Sequence, residues 1–485
     1  MLVIGLTIML LLLSVAVMAA VSRPHLVLYA LAAVVSLVGI NIHLGITLYL
    51  SRVVVIVFLF STLVRAALVD SLHFPSKFLS TFIALFGLIL SSQLVSVLFS
   101  PRISDGLRQI FIYASAMAIF LVVIIVSNRI QVVVKAIKIY LATGLVQGLY
   151  GIYQLIGSPL GWPTYQTFMA GIPRANDQTT RGESAGYVYS GPLQLFRSGG
   201  FFPADVSHYA GYMGGVLILA IALIVYNRRG YFPYFVLLFG GLGLIFSLSR
   251  SGIIAFIVFG LPTLLFLLSR VEPATKSLFR SLTMLCLLGL ILVGVIGPQV
   301  LASLNIKLPN AMGVIFTRLD DISNPGTRSD GTMGEHIETK LAGLAALASS
   351  PLIGVGLGVN AAPWQSTSYY RRGWAGSHSH HLDVLGQTGF LGAGLQFLFM
   401  ALVGMYMWRG LFSTRDQSQA RHLLAGLLAA YITIILGNFL YHYFMLDIVW
   451  FLMGCGVALS RLLILKAAEE VNQNPRNLSG AYSTI

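Results

Sequence analysis

The chain has 485 residues, 57% of them hydrophobic and only 9% charged, at a mean hydropathy of +0.84. That balance excludes an ordinary water-soluble domain, and the apolar residues fall in blocks of about 20, the length that crosses a bilayer core as helix, so the fold class is all-α, a polytopic transmembrane helical bundle. With a formal net charge of +14 the few charges are mostly cationic, suited either to orienting helices in a membrane or to holding an anionic partner.

The first block, Leu2 to Val21, has no basic residue before it and reads as a retained span rather than a cleaved signal peptide. Further spans are expected near 26–43, 51–69, 76–99, 108–126 and 132–156, which completes an N-terminal membrane section over 1–156. Inside it, "SLVGINIHLGITLYLSR" interrupts the hydrophobicity without a proper loop and allows one tilted span plus a re-entrant piece. A hydrophilic excursion follows at 157–206. Spans near 207–226, 232–249, 251–269 and 281–298 fill 207–298, and a larger excursion occupies 299–381. The last spans, near 382–408, 422–441 and 443–465, fill 382–465, and a polar tail with Pro475 closes the chain over 466–485. The total is thirteen spans, or twelve. Cys286 and Cys455 sit inside apolar segments and read as small core residues, not as a disulfide or a thiolate metal site.

Short connections carrying "SRPH" at Ser22–His25, "SNRIQVVVKAIK" at Ser127–Lys138, "NRRG" at Asn227–Gly230, "SRVEPATKSLFR" at Ser269–Arg280 and "RGLFSTRDQSQAR" at Arg409–Arg421 share one face if these spans alternate. The positive-inside bias makes that face cytoplasmic. Both excursions then lie outside, together with the tight "SRSG" corner at Ser249–Gly252, and the tail is a disordered cytoplasmic one.

The excursions nevertheless carry many cations, among them Arg174, Arg181, Arg197, Arg318, Arg328, Lys340, Arg371 and Arg372, together with histidines from His378. Positive charge outside runs against the topological bias. It is explained by an anionic ligand, with phosphate the anion that planar guanidinium groups grip best, or equally by contact with anionic headgroups. Two arginines have a more specific setting. Arg197 precedes two glycines and then a span in "RSGGFFPADVSHYAGY", so it sits at the membrane surface on backbone able to approach a ligand closely. Arg250 interrupts a long apolar run in "FSLSRSGII", where an unpaired cation is costly unless it snorkels to the outer headgroups. Arg65, close to a cytoplasmic helix end, has the weaker claim.

Four stretches in order, "RSGGFF" from Arg197, "SRSG" around Arg250, "PLIGVGLG" from Pro351 to Gly358 and "SHSHHLDVLGQTGFLG" from Ser377 to Gly392, resemble the O-antigen ligase and O-antigen polymerase family of bacterial membrane glycosyltransferases. The resemblance covers most of the chain from about 190 to 465. Counting back from "QTGFLG", the family's histidine falls on His378. Two positions depart from the pattern: Ser379 stands where the family usually has Asn, and Gln387 where it has Glu. A further basic residue is common about 15 positions before the glycine loop, and here His336 holds that place with Arg328 and Lys340 nearby.

The resemblance implies a multi-pass protein of the bacterial inner membrane with its active site on the periplasmic face. It implies glycan transfer, with inversion and without nucleotide or metal cofactor, from a polyprenyl (undecaprenyl) diphosphate donor to a sugar hydroxyl. The acceptor would be another glycan or a lipid A core, the other partners would be membrane lipids, and nucleic acid is not among them. Because the diphosphate leaving group already activates the donor, the protein must stabilise developing charge and take a proton from the acceptor. Arg197 and Arg250 would grip the diphosphate, with Arg328, His336 and Lys340 as further contacts, and His378 would be the general base.

Other readings of the same residues remain open. His378, His380, His381 and Asp383 supply enough ligands for zinc, although neighbours on one short run rarely close a tetrahedron, and surface histidines also pack against headgroups. "PLIGVGLG" lacks a P-loop Lys-Ser/Thr and reads as a close-packed turn. Ile337, Leu341, Leu344 and Ala348 share one face of a helix over "EHIETKLAGLAALASS", which serves either as an amphipathic lid on the outer membrane surface or as a packing element. A transporter or flippase of lipid-linked glycans is the competing class, but such proteins place ionisable groups near mid-membrane. Here Asp447 is the clearest acidic residue within the spans.

Overall fold

A computed structural model describes residues 20–38, 41–43, 47–69, 77–157, 162, 187–190, 193–196, 199–202, 206–226, 230–247, 249–271, 332–358, 377, 379–413, 418–443 and 446–473. In chain order it contains α1 (His25–Val34), β1 (Asn41–His43), β2 (Thr47–Tyr49), α2 (Leu50–Val69), α3 (Lys77–Leu98), α4 (Ile103–Val126), α5 (Ile130–Gly157), β3 (Tyr187–Ser190) and β4 (Leu193–Phe196). There follow α6 (Val206–Tyr226), α7 (Phe232–Phe246), α8 (Arg250–Ile254), a π-helical turn (Ala255–Gly260), α9 (Leu261–Val271), α10 (Thr332–Ser349), α11 (His380–Ser413), α12 (Gln419–Gly437) and α13 (Asp447–Gln473). Among the described residues eight helices are long and apolar enough to cross a membrane, and the fold is a polytopic helical bundle.

The helices fall where the apolar blocks predict them, with three differences. The expected span 26–43 is only a ten-residue helix, α1, followed by the antiparallel β1–β2 hairpin. At 1.5 Å per residue α1 reaches about 15 Å, half a bilayer core, so the interruption read in the sequence is a real break. The gap expected between 441 and 443 is wider, since α12 ends at Gly437 and α13 begins at Asp447, and α13 runs on to Gln473, into the segment expected to be tail. The expected spans 2–21 and 281–298 lie essentially outside the described residues, as does Cys286, while Cys455 is a buried free thiol.

Helices α6, α12 and α13 are the most enclosed. Between helices already surrounded by lipid the hydrophobic effect contributes little, and close packing of small residues carries the association. The chain supplies such contacts: Gly148 of α5 lies against the Phe239 carbonyl of α7, Gly410 of α11 against Ser460 of α13, and Gly454 of α13 against Val123 of α4. Where the residues are large, rings interlock, mostly edge to face, with Phe399 and Trp450 stacked. Phe82 and Phe86 of α3, Phe120 of α4, Phe399 of α11 and Trp450 of α13 form one such cluster.

Helix α11 is broken near its start, where Gly389 adopts φ 61°, ψ −168°. An unbroken helix would carry hydrogen bonds from the amides of residues 390 and 391 to the carbonyls of 386 and 387. Instead the Phe390 and Leu391 N–H groups donate to the Pro351 and Leu352 carbonyls at 2.8 and 3.1 Å. The Gly386 and Gln387 carbonyls in turn accept from the Val355 and Gly356 N–H groups at 2.9 and 3.1 Å. The segment Pro351–Gly358 thus replaces both lost helical bonds, and Ser96 of α3 donates a further bond to Gln387 O at 2.6 Å.

The glycines of that segment follow from the fit. Gly354 and Gly356 have φ of 75° and 111°, conformations that side-chain-bearing residues rarely adopt. A Cβ on Gly354 would stand 2.3 Å from the backbone of Gln387, and one on Gly356 2.5 Å from Ser100 Cα. Gly354→Ala is therefore expected to lower the thermal unfolding midpoint of the purified protein clearly, with a cost of about 1–3 kcal/mol from backbone strain alone. Gly394→Ala, on α11 with nothing within 4 Å, is the control and should leave the midpoint unchanged or raised.

Candidate active site

One end of the bundle gathers the starts of α6, α8, α11 and α13 and the ends of α5 and α12. At the start of α11 the backbone on either side of position 378 is pinned. The Ser377 N–H donates to Asp383 Oδ1 at 2.7 Å and the Ser377 hydroxyl to Ser379 O at 2.8 Å. The Ser379 hydroxyl and the His380 N–H both donate to the carbonyl of Asn438, at 3.2 and 2.9 Å. Ser379 O accepts the Asp383 N–H at 3.0 Å, so Ser379 caps the helix while the Asp383 carboxylate reaches back over the turn.

The second oxygen of Asp383 faces His442 Nδ1 at 3.1 Å, with both side chains partly exposed. His208, in the first turn of α6, donates through Nε2 to the His442 carbonyl at 3.1 Å, and that bond fixes its tautomer. Tyr441 packs edge-on to His208 at 5.2 Å between ring centroids. Tyr443 lies against Gly211 and Gly437, and the Asn438 side chain accepts its N–H at 2.8 Å. Carboxylate, imidazole and phenol groups from α6, α11 and the α12–α13 loop are thereby held within one set of contacts.

The other two histidines of the cluster are committed elsewhere. His380 is buried with its Nε2 2.7 Å from Gln396 Nε2 and its ring beside Tyr113. His381 donates through Nε2 to Ile435 O at 2.9 Å and packs against Phe397 and Phe439. Among the described residues no group of three or more His, Cys, Asp or Glu side chains is arranged to hold a metal ion.

The "SRSG" corner is a sharp helix start. Ser249 is the N-cap of α8, its hydroxyl accepting the Gly252 N–H at 3.4 Å, and the backbone of Arg250 forms the first helical position. Gly252 packs directly on Ala210, two residues along α6 from His208. The π-helical turn follows at once, a distortion frequent at functional sites. The turn after position 197 is clamped from α5. Gln154 accepts the Gly199 N–H at 3.3 Å and donates to Gly200 O at 3.1 Å, while Gln147 accepts the Phe201 N–H at 2.9 Å.

Of the residues expected from the sequence to carry the chemistry, His378, Arg197 and Arg328 lie outside the described residues. Arg250 opens α8, and His336 and Lys340 fall on α10, where the neighbouring Thr339 bonds to Ser377 O at 3.4 Å. The structure brings together α10, the Ser377–Asp383 turn and the 438–443 loop, and it sets the Arg250 corner on α6 beside His208. Sequence reasoning missed His208, His442, Asn438, Gln147 and Gln154, and considered Asp383 only as a metal ligand. The Tyr441-His442-Tyr443 run, polar enough to break two apolar blocks, was the available signal.

Fold and site together define a multi-pass helical membrane protein with its polar chemistry gathered at one end of the bundle. Residues 233–397 match the O-antigen ligase family, which supports the O-antigen ligase and polymerase family and, in general terms, a membrane glycosyltransferase of the O-antigen ligase type. A comparison with curated proteins gives no match.

The geometry assigns Asp383 two separable contacts. Asp383→Asn keeps an acceptor for the Ser377 N–H but loses the carboxylate facing His442, whereas Asp383→Ala loses both. Misplacement of a catalytic loop by about 1 Å costs on the order of 100-fold in rate. Glycan transfer measured in membranes should therefore fall most in the Ala variant and less in the Asn variant, with expression of both retained. Equal activity of all three proteins would remove Asp383 from the site.

Proposed function

We propose that the protein is a bacterial inner-membrane glycosyltransferase that moves a glycan from a polyprenyl diphosphate to a sugar hydroxyl on the periplasmic face, as ligase or polymerase. The observation that carries this reading is the O-antigen ligase match over 233–397, a segment that takes in Arg250, the glycine loop and the turn around position 378.

In this reading His378, between the two pinned serines, accepts the proton of the attacking hydroxyl as the oxygen displaces diphosphate from the anomeric carbon in line, which inverts that centre. Arg197 and Arg250 neutralise the charge that develops on the departing diphosphate, through planar forks that match its oxygens. Arg328, His336 and Lys340 complete the cationic surface. No bond-making step asks for a metal or nucleotide, since the leaving group is already activated. The donor is held in the membrane by its lipid, so the protein has only to orient the diphosphate and bring the acceptor to it.

The test is transfer by the purified, detergent-solubilised chain. Incubation with a polyprenyl diphosphate-linked oligosaccharide should release polyprenyl diphosphate and build a ladder with donor alone for a polymerase, whereas a ligase should do so only once a lipid A core is added, giving a modified core. Movement of the glycan across a vesicle bilayer with no transfer in detergent would sink the reading in favour of a flippase. Loss of general-base catalysis costs about 100- to 10,000-fold, so His378→Ala should abolish measurable turnover while His380→Ala and His381→Ala act mainly on stability. Arg197→Lys and Arg250→Lys keep a charge but lose the fork, and each should lose most activity while still inserting.

The membrane placement has its own check. With Cys286 and Cys455 replaced by Ala, a cysteine at Ser366 should react with an impermeant maleimide added from the periplasmic side, and one at Gln417 should not. Reversed labelling would put the site on the wrong side of the membrane.

A further inference from the structure

Helix α10 turns a small-residue face toward the bundle and leaves its leucines uncovered. Thr339, Ala342, Gly343 and Ala346 are buried, with Gly343 against the Cβ atoms of Ser377 and Leu382 and its carbonyl against Gly386 of α11. On the opposite side Leu341 is 59% and Leu344 47% exposed, and Ala345 and Ala348 extend the same face at helical spacing. Lys340, partly exposed, flanks that outer face one turn before Leu344, and from residue 341 to 348 the face carries no charged side chain.

The uncovered face is continuous with the outer surface of a span. Past Ser349 the chain enters the loop whose carbonyls take the Phe390 and Leu391 amides, which sets Pro351 and Leu352 beside the start of α11. Leu352 and Phe390 are largely exposed and Leu391 about half so, and farther along α11 Leu398 and Met405 are about half exposed and Phe397 a little over a third. In a membrane helix such residues face acyl chains. The strip from Leu341 to Met405 is then one apolar surface that begins on α10 and runs down α11.

We infer that α10 is an interfacial helix whose Leu341–Leu344 face is sunk in the acyl region of the adjoining leaflet, with lipid as the partner that covers it. The helix is wedged between lipid and the Ser377–Leu382 turn, so its depth in the leaflet fixes the height of that turn at headgroup level. Interfacial helices of this kind lie in the membrane plane with one apolar face a few ångströms below the headgroups. This contact stands on burial and continuity and does not depend on the reaction proposed above.

The test uses full-length protein with Cys286→Ala and Cys455→Ala, reconstituted in phosphatidylcholine–phosphatidylglycerol vesicles. Nitroxide labels are placed singly on cysteines at Leu341, Leu344 and, as a water-exposed reference, Asp105 in the first turn of α4. Collision with oxygen, which concentrates in lipid, is compared with collision with an aqueous nickel chelate. Labels at 341 and 344 should favour oxygen and the label at 105 should favour nickel. Nickel-accessible labels at 341 and 344 would place the face in water. Labels immobilised and shielded from both reagents would mean that another protein segment or a second copy of the chain covers it. Either result overturns the inference and leaves the transfer assay untouched.

Discussion

Everything at the polar end of the bundle depends on a backbone exchange. A bilayer offers no water to an unpaired amide or carbonyl, so a helix can break at membrane depth only if another segment completes its hydrogen bonds. Gly389 breaks α11, and Pro351–Gly356 returns both lost bonds, two donors for two acceptors. Three consequences follow from that fit. The loop has to run flat against α11, which requires positive φ at Gly354 and Gly356; α10, immediately before the loop, is drawn onto the first turns of α11; and α3 is tied to the same place through Ser96.

The polar side chains nearby mostly hold backbone. Gln147 and Gln154 clamp the turn at 199–201, and Ser379 and His380 converge on the Asn438 carbonyl. Loops that connect membrane helices lack a large apolar core of their own, and these contacts stand in for one. Arg52 and Asp447 show the same economy with charge. The pair is buried at 3.2 Å, Ser51 donates to the other carboxylate oxygen, and the guanidinium lies 4.6 Å from the Tyr49 ring centroid. Burial pushes the Tyr49 phenol up from its ordinary pKa, and the nearby Arg52 charge opposes that rise. A buried pair of this kind gains little over apolar packing, but losing one partner would strand a charge. Its effect is to lock the start of α2 to the start of α13.

Helices were legible in the sequence because a bilayer-length apolar block needs no partner to be recognised. The exchange between loop and helix was not, since its bonds join residues far apart: Ser96 meets Gln387 across 291 positions and Ser51 meets Asp447 across 396. The hairpin at 41–49 showed only as a faltering of hydrophobicity. On α10 the periodicity marked one apolar face, with Leu341, Leu344 and Ala348 on it, and left open whether the helix is a lid or a packing element; those three residues are exposed. In a soluble protein the leucine face would be the core, but beside a membrane the glycine–alanine face gives the closer approach, and Gly343 meets Gly386 there. For the site, the expected His378 lies outside the described residues, while His208 and His442 had no local spacing to give them away.

The two departures from the family pattern take on a different weight once the bonds are known. The resemblance leads one to expect a carboxylate where Gln387 stands, yet the contacts described at this position run through its backbone: the carbonyl accepts from Gly356 and Ser96, and the chain here forms one wall for Gly354. A change from Glu to Gln leaves that arrangement intact and removes a negative charge from beside the glycine loop. At Ser379 the side chain donates to the Asn438 carbonyl, a bond that an asparagine amide is equally equipped to make. Both substitutions therefore preserve the part of the pattern that holds backbone in place. What the held backbone fixes is the placement of the Asp383 carboxylate, which accepts the Ser377 N–H and faces His442.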